Sequence, residues 1–101
     1  MNKNDFYKLL IDVDDMTTNN LLNIGFNKYY ISRMVKEKVI KRISKGKYDF
    51  YNYNELYSYG KKLIKNERFD DAIKCFIKCL NYDKTDNKVL VVISSTSINI
   101  L

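Results

Sequence analysis

Three glycines and no proline punctuate a chain of 101 residues, so there are few positions where the backbone reverses at little cost. Gly25 stands in Ile24-Gly25-Phe26, directly after Leu21 and Leu22, where a left-handed residue closes a helix. Gly46 stands in Ser44-Lys45-Gly46, between two runs of strand composition at residues 39–43 and 47–51. Gly60 lies inside an apolar pattern of helical period, where a missing Cβ lets a second helix come close. The frame is a mainly α chain with one small β-hairpin.

Between these points the apolar spacing sets the elements. Phe6, Leu9, Leu10 and Val13 recur at i, i+3, i+4 and i+7, which predicts a helix over about residues 4–12. Thr17 or Thr18 is placed to cap a second helix through Leu21 and Leu22, and Asn27 to cap a third running to about Lys38. On the third helix Lys28, Ser32, Lys36, Tyr29 and Arg33 fall within about 140° of arc at the helical period. Tyr30, Met34, Ile31 and Val35 take the opposite side. Two helices joined by a short Gly-containing turn, the second with a cationic face, describe a helix-turn-helix. The hairpin that follows is then a wing, able to lie along phosphates while the third helix enters the major groove.

Charge agrees with that assignment. The net +6 is unevenly spread: −2 over residues 1–26, +7 over residues 27–48 and +1 over residues 49–101. A Lys-rich composition alone would not concentrate the excess in one window that also holds two of the three arginines, Arg33 and Arg42. A compact basic patch is the electrostatic footprint of a nucleic-acid contact; a solvated Lys-rich face is the plainer alternative. The candidate DNA-binding residues are Asn27, Lys28, Tyr29, Ser32, Arg33 and Lys36 on the third helix, and Lys41, Arg42, Lys45 and Lys47 on the wing. Arg33 is the candidate for bidentate guanine recognition.

Thr17-Thr18-Asn19-Asn20-Leu21-Leu22-Asn23-Ile24-Gly25-Phe26, the helix from Asn27 to Lys38, and Val39-Ile40-Lys41-Arg42-Ile43-Ser44-Lys45-Gly46-Lys47-Tyr48 together resemble a known pattern. It is the winged helix at the N-terminus of abortive-infection type IV antitoxins and related predicted transcriptional regulators. The resemblance covers about residues 5–50 and departs from the pattern at Lys38, where a glycine is usual before the wing. It implies double-stranded DNA binding by a transcriptional regulator, an antitoxin-like repressor.

Residues 53–86 carry a different signature. Leu56, Tyr59, Gly60 and Leu63 share one helical face; Ala72, Phe76, Cys79 and Leu80 share another after a turn at residues 66–69. The spacing is that of one tetratricopeptide repeat, in which Gly60 and Ala72 allow close approach and Phe76 fills the space beside them. One repeat leaves faces to be covered, by the winged-helix side and by residues 87–101. Register asks those residues for a helix and their β-branched content asks for a strand. The apolar Ile100-Leu101 suggests a truncated array or a homodimer contact.

Other classes are disfavoured. Without histidine the commonest general base and metal ligand are both missing, and Cys75 and Cys79 alone make no zinc site. Asp12, Asp14 and Asp15 lack the spacing of a calcium loop. Most of the nine tyrosines read as core; Tyr29, Tyr51 and Tyr53 are the ones placed to stack on bases. No signal-peptide core and no stretch of membrane-spanning length is present, so a cytoplasmic location follows as the expectation. The expected protein is a non-enzymatic DNA binder without cofactor or metal, built from a winged helix-turn-helix over residues 1–51 and a tetratricopeptide-like helix pair with a capping segment over residues 52–101. The alternative is an adaptor that receives a protein partner on the helical repeat.

Overall fold

The computed structural model describes the backbone of residues 2–100 and the surroundings of side chains 2–95. Among the described residues there are six helices and one two-stranded antiparallel sheet. The chain divides into two compact units, Met1–Asn52 and Tyr53–Leu101.

The first unit runs α1 (Lys3–Leu10), α2 (Thr18–Asn23), α3 (Lys28–Lys36), β1 (Ile40–Ser44) and β2 (Lys47–Phe50). Each helix starts on a polar side chain that accepts from a backbone N–H left over in the first turn. Asn2 accepts from the Asp5 N–H while Asp5 accepts from the Asn2 N–H, a reciprocal capping box. Thr17 accepts from the Asn20 N–H and Asn27 from the Tyr30 N–H. The core gathers Phe6, Tyr7, Leu10, Ile11 and Val13 with Met16, Leu21, Phe26, Ile31, Met34, Val39, Ile40 and Phe50.

Two helices are shorter than their apolar spacing predicts. α1 stops at Leu10, where Asp12 and Val13 N–H groups turn back to the Leu9 and Leu10 carbonyls. α3 stops at Lys36, because Lys38 takes a left-handed backbone with φ +60. There the Lys38 N–H donates to Val35 O and the Val39 N–H to Met34 O, the paired closure of a Schellman motif. The same closure ends α2 at Gly25, φ +112, with Gly25 and Phe26 donating to Leu22 and Leu21. Leu9 and Val35, expected on buried faces, are 37% and 38% exposed, while Tyr7 and Ile11 are buried. The buried stripe of α1 is therefore rotated toward Tyr7 and Ile11.

The hairpin pairs Ile40 with Phe50, Lys41 with Asp49, Arg42 with Tyr48 and Ser44 with Lys47, slipping register between Arg42 and Ser44. Gly46, φ +72, supplies the left-handed residue of its turn. The stretch before α2 joins the sheet at one point, Thr17 opposite Lys47. Tyr48 N–H donates to Met16 O at 2.8 Å and Thr18 N–H to Gly46 O at 3.0 Å. The hairpin is thus fastened to the start of α2.

The second unit runs α4 (Tyr53–Lys65), α5 (Phe69–Tyr82) and α6 (Asn87–Ile100), with α5 packed on both neighbours. Leu56, Tyr59, Gly60, Leu63, Ala72, Phe76 and Cys79 are all buried, whereas Leu80 is half-buried. A Cβ on Gly60 would stand 2.7 Å from Phe76 Cε1, so the close approach requires glycine. Residues 87–100 are helical, which resolves the choice between strand and helix. Asp86 caps them, accepting from the Lys88 and Val89 N–H groups, and Val89 is buried. β-branching costs roughly 0.5 kcal/mol per residue relative to alanine, which a capped start and packing on α5 outweigh. Leu101 and the side chains beyond residue 95, where a dimer contact is expected, lie outside the described residues.

Candidate nucleic-acid interface

α3 presents the group of polar side chains that its periodicity places together. Ile31 and Met34 anchor it in the core, and this turns Lys28, Tyr29, Ser32 and Lys36 to the exterior, Tyr29 at 65% exposure. Tyr29, Ser32, Arg33, Lys36 and Glu37 line one open depression. Arg33 and Lys36 occupy the last turn, where the helix macrodipole favours cations.

Arg33 is held in place. Its Nε donates to Glu37 Oε2 at 2.5 Å, and its guanidinium carbon lies 5.7 Å from the centre of the buried Phe6 ring. The hydrogen bond to Glu37 is the main reason its pKa lies above the ordinary arginine value. Asn27, expected at the interface, spends its side-chain oxygen on the α3 cap. Tyr29 makes an edge-on contact with Tyr30 at 5.3 Å and keeps most of its ring exposed.

The four hairpin cations, Lys41, Arg42, Lys45 and Lys47, are all exposed. They do not form one face: neighbours on a strand point to opposite sides, so Lys41 and Arg42 diverge. Arg42 Nε donates to Ser44 O at 3.4 Å. Ile43, beside the register slip, is 58% exposed among these cations, an apolar position that charge counting passes over. Tyr51 stays partly open with the Lys38 ammonium 5.9 Å from its ring centre. Tyr53 is half-buried and stacks flat on Tyr82, centroids 4.2 Å apart, within the second unit.

Two features of this surface lie outside the sequence reading. Glu37, the residue after α3, is the lone acid among residues 27–48, and its i,i+4 spacing from Arg33 is the sequence signal for their pairing. The Thr17–Lys47 bridge had no signal, since single-residue pairing leaves no periodicity. Among the described residues no three His, Cys, Asp or Glu side chains gather to hold a metal, and no helix is long and apolar enough to cross a membrane. Comparison with protein-family models, with curated proteins and with solved structures returns no match.

Proposed function

We propose that the first unit is a winged helix-turn-helix that binds double-stranded DNA, and that the protein acts as a transcriptional regulator of the antitoxin-like repressor kind. The observation that carries this is a cationic α3 face, anchored from behind by Ile31 and Met34, followed directly by an exposed cationic hairpin fastened to α2. In this reading Lys28, Tyr29, Ser32, Arg33 and Lys36 address base edges and phosphates in the major groove. Lys41, Arg42, Lys45 and Lys47 hold the backbone beside it. Since Lys41 and Arg42 diverge, a hairpin lying in a groove would reach both of its walls. The second unit is a tetratricopeptide-like helix pair with a third helix on it.

The test is a salt titration of duplex binding by fluorescence anisotropy. About five cations meeting phosphate give a slope of log affinity on log salt near −4 to −5. A slope indistinguishable from zero on every duplex rejects DNA binding. An adaptor role has one observation in its favour, the exposed Ile77, Leu90 and Val91 of the second unit. That role predicts a partner retained unchanged after charge reversal at Arg33 and Lys36.

A further inference from the structure

We propose that Glu37 is a positioning residue that sets the DNA specificity of α3; the inference rests on the DNA-binding reading above. Arg33 is gripped from two directions, by the Glu37 carboxylate at Nε and by the face of Phe6. Phe6 is the fixed support, while the Glu37 side chain is half-exposed and is oriented by its ion pair with Arg33. Phe6 is fully buried, and Glu37 is the helix-capping residue whose N–H donates to the Arg33 carbonyl at 2.8 Å. Behind it the left-handed Lys38 closes the helix. A guanidinium oriented before binding loses less side-chain freedom when it meets a planar acceptor pair such as the guanine edge.

The charge of Glu37 points the same way. It is the single acid among residues 27–48, lining the same depression as Tyr29, Ser32, Arg33 and Lys36. A carboxylate there repels phosphate and so lowers affinity for any duplex. It also holds Arg33 in one direction. Glu37 therefore weakens indiscriminate binding while sharpening the readout of one base pair, two effects with opposite signs on removal.

Intact wild-type protein and the Glu37→Ala and Glu37→Gln variants are measured on two probes. One is a duplex enriched from a random library by the wild-type protein; the other is a shuffled duplex of the same composition. In Glu37→Ala the ratio of the two affinities should fall about ten-fold, close to 1.4 kcal/mol, while affinity for the shuffled duplex rises. Glu37→Gln keeps an acceptor for Nε without the charge, so it should retain most of the ratio yet share the rise. An unchanged ratio in Glu37→Ala, or both affinities falling together as simple destabilisation would produce, overturns the role of Glu37 alone. A wild-type protein that enriches no sequence and binds no duplex overturns the DNA-binding reading and this inference with it.

Discussion

Lys38 and Glu67 share an unusual backbone: both have φ near +60, a region where a side chain crowds the following carbonyl. Each is the left-handed residue of a Schellman closure, Lys38 after α3 and Glu67 after α4, where Arg68 and Glu67 N–H groups donate to Leu63 and Ile64. Glycine relieves about 1–2 kcal/mol of crowding there and gives back up to about 1 kcal/mol in unfolded-chain entropy. Glu67→Gly should therefore stabilise by about 0.5–1 kcal/mol in urea denaturation. Lys38→Gly should gain less, since it also loses the ammonium over Tyr51, worth about 0.5 kcal/mol at an exposed site. Equal gains at the two positions would show that this cation contact contributes nothing. Gly25 announces its helix end in the sequence; Lys38 and Glu67 do not, because there the closing hydrogen bonds hold a non-glycine residue in a conformation it disfavours.

At the scale of elements, the helix pair α4–α5 depends on one missing methyl group. Alanine at position 60 would gain up to about 1 kcal/mol of helix propensity. Its Cβ would meet Phe76 Cε1 at 2.7 Å and Cζ at 2.9 Å, inside a packed core where the ring has nowhere to go. Overpacking of this kind costs about 1–3 kcal/mol, so Gly60→Ala should be destabilising on balance. Adding Phe76→Leu to that variant should recover part of the loss, and a double variant weaker than the additive sum would contradict the clash. This pair was legible because Gly60, Ala72 and Phe76 mark close approach by size alone. The face of α1 was not, since Leu9 and Tyr7 are both apolar enough to be buried and only the surrounding elements choose between them.

Across the whole molecule the two thiols couple stability to pH. Burial pushes Cys75 up to about 12 and Cys79 to about 11, Cys75 further raised by its neighbour Cys79. In the unfolded chain both thiols ionise near pH 8.5. Below that pH both states keep the protons; above it the unfolded chain loses them first, so stability declines as pH rises from about 8.5 toward 11–12. Replacing both cysteines by alanine should lower stability at pH 7 through lost packing, yet flatten its decline between pH 8 and 10. A decline of unchanged steepness would show that the thiols are not the titrating groups. What the sequence by itself determined were the helix starts at Thr17 or Thr18 and at Asn27, the turn at Gly46, the close approach at Gly60 and the gathering of cations in residues 27–48. These are local or compositional, carried by side chains a few positions apart. Only the tertiary structure decided the Thr17–Lys47 bridge, the closure at Lys38, the helical state of residues 87–100 and the hold of Phe6 and Glu37 on Arg33. Each of these balances a local preference against groups brought near by folding, and that balance has no period in the chain.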